Sequence, residues 1–240
     1  MIEAIQGLLP KGDVVIVGEP SMMKAVTGHK GGNAYITHMI GFEVHSSIYY
    51  QGVSAIHEAA RLIQWANEQN EANAAATPAP MAAMFDPPYT TWHVGTIEGG
   101  TADNITAKDC HFNMGYRAVP GDDPAALDAM YFAKVNEVKT AMQAIHLEAD
   151  IKLTPKFAVP PLLPETDGAA ETLARVITGD NASHVVSYGT EAGQFQAAGY
   201  SAVVCGPGDI AQAHQPNEYI EVAQFNAGHK FMRDLIKKLA

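Results

Sequence analysis

Cys205-Gly206-Pro207-Gly208-Asp209-Ile210-Ala211-Gln212-Ala213-His214-Gln215-Pro216-Asn217-Glu218-Tyr219 follows a short apolar run, Tyr200 to Cys205. Two glycines and a proline end that run as a strand and let backbone come close to a ligand. A histidine, a proline and then a helix come next, so the His214 imidazole stands beyond the carboxyl end of a strand, where open α/β sheets keep their sites. Alone, a histidine in a polar loop is more often a solvated surface residue. Near the other end, however, Val14-Val15-Ile16-Val17-Gly18-Glu19-Pro20-Ser21 repeats the arrangement with a carboxylate, a β-branched strand closed by Gly, Glu and Pro. Imidazole and carboxylate at strand ends suit Zn²⁺.

Working outward, Ile2 to Leu9 reads as the last turns of a helix and Pro10 to Asp13 as a turn. Val14 to Val17 is a continuous apolar run, as in a strand buried on both faces. The pattern then alternates from Ala34 to Phe42, a half-exposed strand. A helix follows from about Ser54 to Asn70, its Ile56, Ala59, Ala60, Leu62, Ile63 and Ala66 forming one stripe. Ala72 to Pro80 reads as a loop by composition. Thr91 to Ile97 and Cys110 to Arg117 are strands, Asp122-Asp123-Pro124 opens a helix to about Ile145, and Leu147 to Leu153 alternates again. The order from Ala34 to Leu153 is β-α-β-β-α-β, a ferredoxin-like sandwich.

Pro160 to Pro164 breaks the chain, and the earlier pattern returns: helices at Ala169 to Ile177 and Glu191 to Ala198, strands at Val185 to Tyr188 and Tyr200 to Cys205, and a last amphipathic helix from Glu221 to Leu239. On that helix Phe225, Phe231, Met232, Leu235, Ile236 and Leu239 fall near one face. The fold class is therefore α/β with an inserted sandwich. Residues 1–26 and 158–240 share one domain, and residues 27–157 form the other.

The chain has 15 Lys+Arg against 26 Asp+Glu, a net charge of −11 that repels nucleic acid and anionic membranes. With 47% hydrophobic and 17% charged residues it is neither disordered nor membranous. No secretory signal is legible at Met1-Ile2-Glu3-Ala4. Cys110 and Cys205 lie far apart in apolar stretches, which points to reduced thiols and a cytoplasmic location.

Six elements occur in order: Gly18-Glu19-Pro20-Ser21; His29-Lys30-Gly31; His45-Ser46-Ser47; Asn104 ahead of Cys110 and Arg117; Gly189-Thr190-Glu191-Ala192-Gly193; and Gly206-Pro207-Gly208 with Ala213-His214 and Glu218-Tyr219. Together they resemble the dizinc amidohydrolases of the M20 peptidase family, and within it the branch that deacetylates N-acetyl-ornithine in arginine biosynthesis. The resemblance implies part of a zinc-peptidase-like α/β catalytic domain with an inserted ferredoxin-like dimerisation domain. It implies Glu19 as ligand of one metal and His214 of the other, with two Zn²⁺ ions per site or Co²⁺ in their place. It further implies that His45 reaches a partner subunit's site to stabilise the oxyanion, that Asn104 and Arg117 hold the substrate carboxylate, and that Gly189 and Thr190 touch substrate. Chemically, paired metals polarise an amide carbonyl, an Arg fork suits a carboxylate, and a His donor suits a tetrahedral oxyanion.

The same family carries a His-x-Asp motif, a bridging Asp and a Glu-Glu pair ahead of the Glu19 position, and Met1 to Gly18 holds none of them. The 240-residue chain on its own is therefore expected to be inactive. Succinyl-diaminopimelate desuccinylase and aminoacylase activities stand as alternatives within the family, and a non-catalytic dimerisation or binding module as an alternative outside it. The expected partners are a small N-acyl amino acid and a second copy of the chain, docked through the inserted domain. Structural readings stay open for Glu19 as a solvated strand terminator, His45-Ser46-Ser47 as a helix cap, Arg117 as an ion-pair partner and Glu191 as a helix-start carboxylate. Cys205 is read as a small core residue, and His29, His38, His57, His93, His111, His146, His184 and His229 as structural or solvent-facing.

Overall fold

A computed structural model describes Gly12 and residues 14–240. The helix and turn expected before Val14 lie outside the described residues, apart from Gly12. In chain order come β1 (Val14–Val17), β2 (Val26–His29), β3 (Gly32–Ile40), α1 (Ala55–Ala75), β4 (Thr91–Gly99), β5 (Asp109–Arg117), α2 (Pro124–Ile145), β6 (Asp150–Val159), α3 (Ala169–Thr178), β7 (His184–Val186), α4 (Ala192–Ala197), β8 (Ser201–Val204) and α5 (Val222–Leu239). Two compact units result: one comprises residues up to Gly31, Met84–Asp86 and Val159–Ala240, and the other Gly32–Ala83 and Pro87–Ala158. Among the described residues no helix is long and apolar enough to cross a membrane.

The unit running from Gly32 to Ala158 is a four-stranded sheet ordered β4-β5-β3-β6, with both helices on one face. β3 and β5 pair antiparallel from Ala34↔Gly115 to Ile40↔Asp109, and β4 pairs antiparallel with β5 through a register shift between Val94 and Ile97. Alternation sends Thr37, Met39, Cys110, Phe112, Met114 and Tyr116 inward, where they meet Ala55, Ala59, Leu62 and Ala66 of α1 and Tyr131, Val135, Val138 and Met142 of α2. The helical residues recur every three or four positions, and burying a leucine such as Leu62 stabilises by roughly 1.5–3 kcal/mol. Trp65 packs edge-on against Trp92 with centroids 4.8 Å apart. Asn70 fastens α1 to β4, donating to Trp92 O at 2.8 Å and accepting from Trp92 N at 2.7 Å. α2 begins as expected, with Asp123 accepting from Ala125 N at 2.9 Å and Pro124 in the first turn.

Three boundaries differ from the sequence reading. The stripe of α1 turns toward Trp65, leaving Ile56 and Ala60 exposed, because the large indole takes the place nearest the sheet. The helix also runs on to Ala75, since the Ala-rich segment read as loop is made of good helix formers. β6 covers Asp150–Val159 while Leu147 is 86% exposed, so the alternation that defines the strand lies further along. Pro155 within it is tolerated because β6 is an edge strand.

The other unit has the sheet order β1-β8-β2-β7. β1 and β8 are parallel, from Val14↔Ser201 to Val17↔Val204, and β2 and β7 are also parallel, while β2 meets β8 antiparallel at Val26↔Val204. Apolar clusters cover both faces: Ala25, Ala170, Ala174, Val203, Cys205 and Phe231 on one, and Val26, Leu162, Ala192, Ala202 and Val204 on the other. Val14 and Ile16 join the first cluster and Val15 and Val17 the second, the two-faced burial that a continuous apolar run implies, but only half-complete because β1 lies at the edge of this sheet. β2 is absent from the sequence reading, as Val-Thr-Gly-His carries too little β-branched or alternating character to be seen. On α5 only Phe231 of the expected apolar face is buried and Leu235 half-buried, whereas Phe225, Met232, Ile236 and Leu239 are exposed.

Candidate functional site

Because β1 and β8 are parallel neighbours, their carboxyl ends open side by side, and the loops that leave them are stitched together. Ser21 N and Met23 N donate to Gly206 O at 3.1 and 2.9 Å, and Met22 N donates to Gly208 O at 2.9 Å. Gly206 N donates in return to Ser21 Oγ at 3.1 Å. A Cβ on Gly206 would stand 2.2 Å from Gly18 O, so only glycine lets the loops approach this closely. Met22 and Met23 adopt left-handed φ of 56° and 59°, a pairing unusual for non-glycine residues, held by the bonds to Gly206 and Gly208.

Glu19 is exposed at the lip of this junction. Tyr188 donates its hydroxyl to Pro20 O at 2.7 Å. Burial raises the Tyr188 pKa, and the charges of Glu19 and Asp209 raise it further, so phenol and carboxylates share one neighbourhood. Beyond β8, Asp209 caps the 3-10 turn Ile210–Gln212 by accepting from Ala211 N at 2.9 Å. His214 follows, exposed, with φ of 58° and its backbone N–H donated to Glu218 Oε2 at 2.9 Å. Glu218 thus holds a strained backbone that presents the imidazole.

A zinc site takes three protein ligands or more. Among the described residues, Glu19 and His214 belong to no group of three His, Cys, Asp or Glu side chains with ligand atoms within 4.8 Å of one another. These residues therefore do not by themselves make a metal centre. Cys205 lies in the core, its thiol pushed up to about 11 by burial and then by Asp180, as expected of a small core residue.

Gly189 and Thr190 form the turn before α4, and His29, read from the sequence as structural or solvent-facing, positions them. His29 is fully buried. Its Nε2 faces Gly193 N at 3.2 Å and Thr190 N at 3.4 Å, while its Nδ1 lies 2.9 Å from Lys30 O. Backbone N–H groups can only donate and a carbonyl can only accept, so the ring is neutral with its proton on Nδ1. Burial lowers its pKa accordingly. His29-Lys30-Gly31 was visible as a motif, but its contacts span more than 150 residues of sequence. Glu191 precedes α4 without a capping hydrogen bond.

In the other unit, His45 and Asn104 come together. His45 bridges Ile105 across an isolated antiparallel pair, and Ser46 N donates to Asn104 O at 2.8 Å. His45 is also the cap of the 3-10 segment Ser46–Gln51, its Nδ1 accepting from Ser47 N at 3.2 Å. That bond needs the Nδ1 lone pair, so in the neutral ring the proton sits on Nε2, free to donate outward. The cap reading and a donor role are compatible.

Arg117 is exposed at the far end of β5 and joins no ion pair among the described residues; its guanidinium lies 5.6 Å over the Phe157 ring. It borders a recess of about 280 Å³ whose walls include Gly95, Gly115, Asn113 and Lys156. Asn104 precedes the first residue of β5 and Arg117 is its last, so at about 3.4 Å per residue roughly 27 Å of strand separates them. One chain does not bring both to a single small carboxylate.

Residues 27–142 match the peptidase dimerisation domain of the M20 family. Over 214 residues the chain is 33% identical to an acetylornithine deacetylase of Myxococcus xanthus, covering 86% of this chain and 52% of the relative. It is 30% identical over 220 residues to an N-acetyl-L-citrulline deacetylase of Xanthomonas campestris, covering 88% and 55%. The chain thus spans about half the length of the curated relatives it matches. Among solved structures, a tripeptidase from Staphylococcus aureus superposes with a TM-score of 0.73 at 19% identity, covering 98% of this chain and 59% of that one. An M20 metallo-carboxypeptidase from Sulfolobus solfataricus gives 0.69 at 17%, covering 98% and 65%, so the likeness of fold extends over both units. The chain thus carries the dimerisation domain of M20 peptidases over residues 27–142, in a fold it shares with M20 peptidases.

Proposed function

We propose that the chain serves a metal-dependent amidohydrolase that cleaves the acyl amide of an N-acyl amino acid, N-acetyl-ornithine first among the substrates, in the cytoplasm. Residues 1–26 and 158–240 would contribute to the catalytic domain and residues 27–157 would form the dimerisation domain. The observation that carries the reading is the stitched pair of loops beyond β1 and β8, with Glu19 and His214 on them, in a chain about a third identical to a deacetylase.

Glu19 and His214 are the proposed ligands of two Zn²⁺ ions, Co²⁺ being the alternative metal. The described residues bring no third ligand to them. What this chain's residues supply is recognition. Arg117 offers a planar fork to the substrate carboxylate, with Gly189 and Thr190 on the turn that His29 holds. His45 offers an Nε2 proton to the oxyanion and Asn104 an amide beside it. The separation of Asn104 from Arg117 along β5 supports a site shared between two copies, His45 and Asn104 from one and Arg117 from the other.

The purified 240-residue chain, titrated with Zn²⁺ and assayed on N-acetyl-ornithine and N-succinyl-diaminopimelate, is expected to show no turnover. Turnover abolished by His214→Ala would reveal a complete centre and overturn that expectation. Substrate recognition has its own readout: N-acetyl-ornithine should shift the Arg117 Nε resonance saturably, whereas the carboxamide analogue should not. Arg117→Lys should weaken binding about tenfold, as expected for loss of a bidentate pair. A second reading, a binding module without catalysis, is favoured by the incomplete ligand set, and it gains if carboxylate binding persists in the longest native form of the protein while hydrolysis is absent.

A further inference from the structure

The open face of the β4-β5-β3-β6 sheet carries a second set of metal-ligating side chains. Asp109 and His111 stand two residues apart on β5 and so project from the same face. His38 on β3 lies directly across from His111 in the antiparallel register, and Ile40 lies across from Asp109. His38 Nε2 reaches diagonally to Asp109 Oδ1 at 2.7 Å, and the two imidazoles stack with centroids 3.9 Å apart. Each of the three side chains has a ligand atom within 4.8 Å of the others'. We propose that His38, Asp109 and His111 form a transition-metal site on the dimerisation domain, selective for Zn²⁺, Ni²⁺ or Cu²⁺ over Mg²⁺ and Ca²⁺.

The ligand chemistry sets the selectivity: two imidazoles and one carboxylate form an N₂O set that suits borderline metals, whereas Mg²⁺ and Ca²⁺ ask for oxygen. Tetrahedral ligands at about 2.0–2.1 Å from Zn²⁺ lie roughly 3.4 Å from one another, so a spread of 4.8 Å closes by side-chain rotation alone. The stack must open, because parallel rings aim their lone pairs in parallel rather than at one point. Exposure allows this: the His38 and Asp109 side chains are 28% and 53% exposed, and His111 is exposed as well. The backbone need not move, since β5 and β3 are the two central strands and each is fixed by a ladder on both sides. Glu98 on β4 pairs with His111 from its other side, placing a second carboxylate on the same row. Three protein ligands leave at least one coordination position for water or another donor.

The set also admits a simpler reading, a surface His–Asp pair beside a stacked ring, and metal titration separates the two. The full chain is titrated with Zn²⁺ and Ni²⁺ by calorimetry and with Co²⁺ by its visible absorption. One ion per chain is expected at this site, with an affinity at least about tenfold lower in His38→Asn and in His111→Asn, a loss in the range seen when metal sites are disrupted. Broadened or shifted His38 and His111 ring-nitrogen resonances on adding Zn²⁺ would locate the ion independently. Absence of binding by the parent chain, or equal binding by the double variant, would overturn the proposal. If the double variant does not fold, Asp109→Asn keeps the shape and removes the anionic ligand, and unchanged affinity there would overturn it equally. The result also bears on any zinc count, because an ion at this site says nothing about Glu19 and His214 until His38 and His111 have been replaced.

Discussion

His29 shows how a single buried ring fixes a turn and ties stability to pH. Its folded pKa lies below the ordinary 6.5 because burial disfavours the charged ring. Below about pH 6.5 the unfolded chain takes up a proton that the folded chain refuses, so this contribution is fully present above that pH and falls as acid drives the folded ring toward protonation. Urea unfolding should therefore show stability declining from pH 7 to pH 5, with a shallower slope in His29→Gln and an overall loss of about 1–3 kcal/mol from the unsatisfied N–H groups. An unchanged slope would remove His29 as the cause. Gly206→Ala tests a second residue: a methyl placed 2.2 Å from Gly18 O should cost about 1–3 kcal/mol, read as a lower urea midpoint at unchanged slope. The places of Glu19 and His214 beyond β1 and β8 were legible because each follows an apolar strand broken by Gly and Pro. His29 was not, because its partners at Thr190 and Gly193 are adjacent only in the fold.

Elements with strong local signals were found in the right order, though neighbours set their ends and faces, and an element defined by its neighbours alone was missed. α2 announced itself through Asp122-Asp123-Pro124, a cap and an early proline. The strands β4 and β5 lie within two residues of the expected Thr91 to Ile97 and Cys110 to Arg117. β2 needed β7 and β8 to become a strand, and its four residues are buried despite two polar side chains. The face of α5 is a similar case: helical spacing correctly groups Phe225, Met232 and Ile236, but grouping does not determine whether a partner covers them, and all three are exposed. Likewise the spacing of Asp109 and His111 places them on one face, while the register that sets His38 opposite His111 is a property of the paired strands. For α1 the core role of Leu62 is unambiguous in both readings. Leu62→Ala should destabilise by about 2–5 kcal/mol in chemical unfolding, and a loss below 1 kcal/mol would mean that the helix packs differently.

At the scale of the whole molecule, β5 keeps the residues at its two ends apart. Asn104 with His45 sits before its start and Arg117 at its finish, and a strand does not bend back upon itself to join them. If all three residues serve one substrate, two copies must meet, and the sheet offers β4 and β6 as unpaired edges among its described strands. Sedimentation of the chain at micromolar concentration should therefore give a dimer, and a monomer there would remove the shared site from consideration. The arrangement itself is testable by mixing. Cys110 and Cys205 are buried, so a nitroxide attached to Asn104→Cys labels one exposed position. Mixed with ¹⁵N-labelled chain bearing no nitroxide, in the presence of N-acetyl-ornithine, it should broaden the Arg117 Nε resonance of the other copy. Broadening confined to residues around Ser46 and Ile105, with Arg117 unaffected in a proven dimer, would mean that the two copies associate without sharing a site, and that the roles of Asn104 and Arg117 must be separated.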